Sequence, residues 1–179
     1  RAKQGIARKA VTLIQPGSSI FVDAGTTTTV FGQSLAKLSG VMVITNSIEI
    51  AQTIKSSGSD IDLILLGGQI VSDVPATYGE LTLSEIRRFN VDLAFIGPVA
   101  VHAEEGMFSF ALKEAEIART MISQARQNVL LCDRTKFGTT SRVRFAKTRD
   151  INYLITDSLV KPDQIEPFTR AGVEIVTDK

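Results

Sequence analysis

Short, unbroken runs of Val, Ile and Leu alternate with segments of helical period along nearly the whole chain, and this alternation constrains the fold most strongly. Such runs are typical of parallel strands that are buried on both faces. The predicted strands cover residues 19–22, 41–45, 61–66, 91–96, 129–132, 151–156 and 173–176. The predicted helices cover residues 3–14, 27–38, 47–56, 80–89, 111–125 and 162–170. We therefore expect an α/β fold, a mostly parallel twisted sheet with helices on both faces.

The length of 179 residues and the apolar content of 44% suit one domain over residues 1–179. Because the sequence begins at Arg1 without methionine, we expect it to be part of a longer protein. The net charge of +1 creates no overall field that would attract nucleic acid or acidic lipid. Cys132 is the only cysteine, which excludes an internal disulfide and fits a reducing cytoplasm. No apolar run approaches the roughly 20 residues that cross a bilayer, so no membrane partner is expected.

Small and polar residues follow most of the predicted strands. Ligands of open parallel sheets bind beyond the carboxyl ends of the strands, where these residues would meet. The segments concerned are residues 23–28, 46–47, 67–68, 97–98, 133–138 and 157. A ligand site at this edge of the sheet is therefore predicted. Ordinary turn chemistry uses the same residue types and is the alternative.

The first of these segments reads Asp-Ala-Gly followed by four threonines. Gly25 permits close approach of a ligand to the backbone, and Thr26, Thr27 and Thr28 begin a helix whose free N–H groups and dipole favour an anion. The threonine hydroxyls add donors for phosphate oxygens, while the Asp23 carboxylate suits the hydroxyl groups of a sugar. The alternative is that Thr26 or Thr27 only caps the helix, which explains one threonine and not four.

A second polar segment, residues 132–138, reads CDRTKFG. Lys136 offers a mobile positive charge for a phosphate or an enediolate, although a solvated loop lysine is the plainer interpretation. Cys132 ends an apolar run and is expected in the core. His102, the only histidine, falls in a predicted loop, and without a second His or paired Cys no metal is expected. Neither G-x-G-x-x-G nor G-x-x-x-x-G-K-[ST] occurs, so no dinucleotide, nucleoside triphosphate or other cofactor is expected.

Two clusters of basic residues stand apart from these segments. The first comprises Arg1, Lys3, Arg8 and Lys9, and the second comprises Arg142, Arg144, Lys147 and Arg149 around Phe145. The second lies within residues 134–149, which are polar and basic and lack a clear period. Either cluster is compatible with contact to nucleic acid, but such clusters are more often a solvated face.

Seven stretches of the sequence, in their order and spacing, resemble the effector-binding domain of the DeoR family of bacterial transcriptional regulators. They are IFVDAGTTT (20–28), VITNS (43–47), LILLGG (63–68), VDLAFIG (91–97), EAEIARTMI (114–122), CDRTKFG (132–138) and YLITD (153–157). The resemblance implies a fold like that of ribose-5-phosphate isomerases, glucosamine-6-phosphate deaminases and coenzyme A transferases. It also implies a bacterial cytoplasmic sensor of phosphorylated sugars or related metabolites. In that family an N-terminal winged helix-turn-helix binds operator DNA, so residues 1–15 would form the helix that follows it, and a homo-oligomer is expected.

The resemblance also implies a set of ligand-binding residues. Asp23, Gly25, Thr26 and Thr27, extended by Thr28, match the family's aspartate-glycine-threonine-threonine motif, and Asn46, Gly67, Gly68, Asp133, Lys136 and Gly138 match the later positions. Thr135 replaces the usual serine and keeps its hydroxyl. Residues 98–101 and the unusually apolar residues 107–110 depart from the family pattern, and we expect both to shape the ligand pocket.

A sugar-phosphate isomerase on the same scaffold is the alternative function. Aldose–ketose isomerisation needs a base beside the carbonyl and donors for the enediolate. Ribose-5-phosphate isomerases carry an acidic cluster after the fourth strand, whereas residues 96–100 here read Ile-Gly-Pro-Val-Ala. Glu104 and Glu105 follow in a predicted loop and are a weak substitute. We therefore expect a sensor that binds the ligand without turning it over, and no catalytic residues.

Overall fold

The computed structural model of the chain describes residues 1–71 and 73–179. The helices in these residues are α1 (Ala2–Val11), α2 (Thr26–Leu35), α3 (Ile48–Ser56), α4 (Glu80–Ile86), α5 (Leu112–Ser123) and α6 (Pro162–Arg170). The strands are β1 (Ser19–Val22), β2 (Val41–Thr45), β3 (Ile61–Leu65), β4 (Val91–Ile96), β5 (Ala100–His102), β6 (Gly106–Ser109), β7 (Ala125–Leu131), β8 (Val143–Ala146), β9 (Tyr153–Thr156) and β10 (Glu174–Thr177). Seven of the strands form the main sheet, in the order β10-β9-β7-β4-β1-β2-β3.

Every pair of neighbouring strands in the main sheet is parallel, which confirms the predicted fold class. β1 lies inside the sheet, with Phe21 opposite Ile44 of β2 on one side and Ala94 of β4 on the other. All seven strands therefore end at one edge, and the segment after β1 starts near the middle of that edge, as predicted for Asp23.

Helices cover both faces of this sheet because its strands carry buried residues on both sides. On one face, Phe31 and Leu35 of α2 and Ile50 of α3 pack with Ile20 and Val22 of β1 in a core to which α1 also contributes. On the other face, residues of α4, α5 and α6 pack against the alternate positions of the strands. The two cores fix the ends of the strands relative to the helices that begin there.

A small antiparallel sheet, β5-β6-β8, was missed by the sequence analysis. His102 ends β5 and does not lie in a loop. Residues 134–149 contain β8 and the 3-10 helix Arg134–Lys136, and a second 3-10 helix, Thr148–Asp150, begins at their end. Strands of three or four residues are too short to produce a recognisable alternation. This sheet buries Met107 and Phe145 against the core on the α5 side.

Several predicted helices extend beyond their observed ends. α1 ends at Val11 and α2 at Leu35, where residues 3–14 and 27–38 were predicted. Ile14 and Leu38, which suggested the longer helices, lie in the turns that follow and still pack against the core. Within the part of the chain that the structure describes, no helix has both the length and the apolar character needed to cross a membrane.

Candidate ligand site

A cavity of about 630 Å³ lies at the edge of the main sheet where the parallel strands end. Segments that follow β1, β2 and β4 line it, together with the connection between β3 and α4, the start of α5 and the segment after β7. The residues in the lining are Ala24, Gly25, Thr26, Thr27, Thr29, Ser47, Glu49, Asp73, Val74, Pro75, Tyr78, Gly97, Pro98, Val99, Glu114 and Lys136. The volume is within the range of pockets that hold small metabolites.

The four threonines at the start of α2 divide into two pairs. The hydroxyls of Thr28 and Thr29 donate to the Gly25 carbonyl at 3.2 and 2.7 Å, and Thr28 is fully buried. Thr26 is exposed, Thr27 is half-buried, and both line the cavity. The N-cap is Gly25, which has no side chain to bond the first N–H groups, so the simple capping role considered for Thr26 or Thr27 is wrong. These N–H groups make the start of α2 suitable for an anion.

The Asp23 carboxylate is buried and contacts protein groups. Its Oδ1 atom accepts a hydrogen bond from the Gly97 N–H at 3.0 Å, which joins the ends of β1 and β4. Burial raises the pKa of this carboxyl well above its ordinary value, against the opposing effect of hydrogen bonds from Gly97 and Thr28. The charge of Glu114, which lines the cavity, raises the Asp23 pKa further. Asp23 therefore supports the cavity wall from behind.

The raised pKa of Asp23 predicts a specific dependence of stability on pH. Because ionisation is less favourable in the folded state, the stabilising contribution is complete below the ordinary carboxyl pKa and is lost as the pH rises through the raised value. Asp23→Asn, which stays neutral, is expected to reduce the fall in melting temperature between about pH 4 and about pH 8. Asp62→Asn, at an exposed position of β3, is the control. An equal fall in the parent and in Asp23→Asn would contradict this account.

Two carboxylates hold the segment after β7. Asp133 caps the 3-10 helix Arg134–Lys136 and accepts from the N–H of Thr135 at 2.9 Å and from its hydroxyl. Asp157, at the end of β9, accepts from the backbone N–H of Arg134 at 2.7 Å and from its guanidinium at 2.6 Å. Burial disfavours the charge on Asp157, but these bonds and the arginine charge outweigh it and lower the pKa of this carboxyl. The helix is thereby fixed where Lys136 lines the cavity.

Other predicted site residues lie outside the cavity lining and support it. Asn46 is buried and donates through Nδ2 to the Thr77 carbonyl at 2.9 Å, while its Oδ1 atom has no partner among the described residues. Gly67 accepts from the Thr82 hydroxyl at 2.6 Å, which ties the end of β3 to α4. The remaining two positions are Gly68, packed against α4, and Gly138, whose N–H donates to the Val101 carbonyl at 2.8 Å.

Several cavity residues were not recognised from the sequence. Glu49 and Glu114 lie on α3 and α5, and Asp73 lies in the connection before α4, so three carboxylates join the lining. Tyr78 is buried, and burial, followed by the charges of Glu114 and Asp23, raises its pKa to about 12. Glu114 falls in the stretch EAEIARTMI, whose resemblance to the family was the one sequence signal that could have pointed to it.

The two segments that depart from the family pattern behave differently. Pro98 and Val99 line the cavity, as expected. Met107 and Phe108 are buried in or beside the core, and Phe110 is exposed under the guanidinium of Arg142, 4.5 Å from the ring centroid. The apolar residues 107–110 therefore form part of the small sheet and its surroundings. They were expected to shape the pocket, but none of them lines the cavity.

Lys136 is the only cation among the described lining residues, and none of the ion pairs in residues 1–71 and 73–179 involves it. No cluster of three or more His, Cys, Asp and Glu residues within those ranges has the arrangement of a metal site. The cavity thus combines an uncapped helix start, one ammonium and three carboxylates in one lining. This arrangement suits a ligand with one anionic group and several hydroxyls.

The family model of the DeoR C-terminal sensor domain matches residues 1–158. The chain belongs to this family. This chain is 33% identical over 174 residues to the HTH-type transcriptional repressor GlcR of Bacillus subtilis, and the match covers 97% of this chain and 66% of that protein. It is 30% identical over 156 residues to the glycerol-3-phosphate regulon repressor of Escherichia coli, covering 87% of this chain and 62% of that protein.

The chain thus spans less than two thirds of the length of each of these two relatives. Ribose 5-phosphate isomerase a from Methanocaldococcus jannaschii shares its fold, with a TM-score of 0.51 at 20% identity over 75% of this chain and 52% of that chain. The relatives are transcriptional repressors, which supports a ligand-sensing domain of a transcriptional regulator and not an enzyme. The family resemblance and the fold expected from it are therefore confirmed.

Proposed function

We propose that this domain senses a phosphorylated sugar or a related metabolite in the cavity at the strand ends. The observation that carries the proposal is the meeting of the start of α2 with Lys136 in one cavity lining. The amides of the first turn of α2, the hydroxyls of Thr26 and Thr27, and the Lys136 ammonium would hold the phosphate. The name of the glycerol-3-phosphate regulon repressor among the relatives is in line with such a ligand.

The carboxylates in the cavity provide acceptors for the sugar hydroxyls. Glu49, Asp73 and Glu114 line the cavity, whereas Asp23 uses one oxygen for Gly97 and is buried. The role first expected of Asp23 is therefore assigned here to the three lining carboxylates. Asp23 would act indirectly, by holding the ends of β1 and β4 together behind the cavity lining.

Transmission of the signal would pass through the helix pair α1 and α2. α2 begins at the cavity and packs along α1, which also packs against β7, β9 and β10. If the ligand binds more tightly when α2 occupies one of two positions, binding would favour that position of α2. Because α1 packs along α2, α1 would move with it. In the full-length regulator we expect α1 to lead to a domain that binds operator DNA, and a homo-oligomer to match a symmetric operator.

A thermal-shift panel tests the proposed ligand class. Glucose 6-phosphate, fructose 1-phosphate, glucosamine 6-phosphate, glycerol 3-phosphate and inorganic phosphate are compared with the unphosphorylated sugars. A ligand that binds the native state alone raises stability by about 2.7 kcal/mol at a hundredfold excess over its dissociation constant. We expect at least one phosphorylated compound to raise the melting temperature more than its plain counterpart does. Equal shifts with both members of each pair would contradict phosphate recognition.

A further inference from the structure

A second concave surface, the basic groove, lies between the end of α5 and β8 and has a volume of about 510 Å³. Its lining includes Arg119, Asn128, Arg144, Phe145, Lys147 and Arg149. It shares no described residue with the lining of the sugar-phosphate cavity. Its backbone comes from α5, β7, β8 and the 3-10 helix after β8, so it is built by four elements of the fold.

Four cations line the basic groove against one carboxylate, that of Asp150. The ion pairs found in residues 1–71 and 73–179, Arg134–Asp157 and Arg170–Glu166, use none of the four. The Asp150 carboxylate accepts instead from the backbone N–H of Lys147 at 3.0 Å. Like charges on one concave surface repel each other, and an anionic ligand would relieve this repulsion.

Two of the arginines are held in position by backbone carbonyls. The Arg119 guanidinium donates to the Arg144 carbonyl at 2.8 Å, and the Arg144 guanidinium donates to the Glu105 carbonyl at 3.3 Å. Each guanidinium has five N–H donors, so donors remain on both after these bonds. Their fixed positions reduce the ordering cost of a ligand that accepts from them.

Asn128 supplies an independent sign of a missing partner in the basic groove. The residue is only 7% exposed and lines the groove. Its Nδ2 atom donates to the Asp150 carbonyl at 3.0 Å, which sets the orientation of the amide. The Oδ1 atom is buried and accepts from no described residue. Since buried acceptors are almost always satisfied and this oxygen is closed to solvent, a small shift of the groove wall on ligand binding would be needed to give it a donor.

We propose that the basic groove binds a compact diphosphate-bearing metabolite of nucleotide size. The cations would hold the phosphates, and Asn128 would accept from an N–H or O–H group of the ligand after a small shift of the groove wall. A volume of about 510 Å³ suits a small metabolite. This site is separate from the sugar-phosphate cavity and would give the regulator a second metabolite input.

Titration calorimetry with pyrophosphate and with ADP, in magnesium-free buffer, tests the proposal on the full chain. Arg149→Ala and Lys147→Ala are each expected to weaken binding by about 5- to 10-fold, a modest loss because both side chains are exposed. Arg88→Ala removes an exposed cation from the end of α4 and should leave affinity unchanged.

The side-chain amide signal of Asn128 in a nitrogen-correlated NMR spectrum gives a local readout. We expect it to shift on addition of pyrophosphate or ADP, and tighter binding of ADP than of pyrophosphate would identify a nucleoside as part of the ligand. Three results would overturn the proposal: no binding of either probe at millimolar concentration, affinities equal in the parent and in Arg149→Ala, or binding of duplex DNA alone with loss in Arg149→Ala.

Discussion

Lys136→Ala is expected to weaken the binding of a phosphorylated sugar by about 10- to 100-fold, the effect of removing a charged donor from a phosphate. Affinity for the unphosphorylated sugar should not change, because Lys136 would contact only the phosphate. Lys136 is half-buried in the cavity lining, and its backbone is fixed through Arg134 and Asp157. Calorimetric titration with the phosphorylated compound selected by thermal shift, and with its plain sugar, measures both affinities.

Two further variants define what the Lys136 result means. Lys55→Ala removes the same charge from an exposed position near the end of α3 and should bind like the parent. Thr27→Ala removes a hydroxyl at the start of α2 and should weaken the phosphorylated ligand by about 10- to 100-fold. If Lys136→Ala and Thr27→Ala both bind the phosphorylated sugar as the parent does, the phosphate lies elsewhere.

Gly68→Ala is expected to lower the free energy of unfolding by about 3 to 4 kcal/mol, through backbone strain and overpacking. Gly68 has a φ of +145°, and an added Cβ would lie 2.0 Å from the Thr82 hydroxyl and 2.7 Å from the Tyr78 carbonyl oxygen. The carbonyl belongs to the backbone and cannot turn aside as a side chain can. Urea unfolding of the variant and the parent measures the loss.

Gly58→Ala is the matched control for Gly68→Ala. Gly58 has a φ of +68°, and an added Cβ there would meet nothing within 4 Å. The substitution should cost only the conformational strain, about 1 kcal/mol. Equal losses for the two variants would show that the close approach of Gly68 to Tyr78 and Thr82 does not limit what fits there.

The sequence allowed the main sheet and one side of the cavity to be predicted because both depend on local signals. Unbroken apolar runs mark the parallel strands, and the segment from Asp23 to Thr28 marks the start of α2 at the strand ends. The same reasoning placed Lys136 at that edge, and in the structure it lines the same cavity as Thr26 and Thr27.

The remaining site residues could not be predicted, because their positions depend on packing between distant segments. Glu49 and Glu114 resemble ordinary solvent-facing residues of amphipathic helices, and only the tertiary fold turns them towards the cavity. The role of Asp23 was equally hidden, since its hydrogen bond to Gly97 joins residues 74 positions apart. The strands of the small sheet are too short to give a periodic signal.

The central claim is that the phosphate binds where the start of α2 meets Lys136. The most direct test follows the backbone amide signals of the chain by NMR during titration with the phosphorylated sugar selected by thermal shift. The account predicts that the amides of Thr26, Thr27 and Thr28 shift most, together with that of Lys136, and that the plain sugar leaves them in place. Saturating shifts confined to other parts of the chain, with these four amides unchanged, would contradict it.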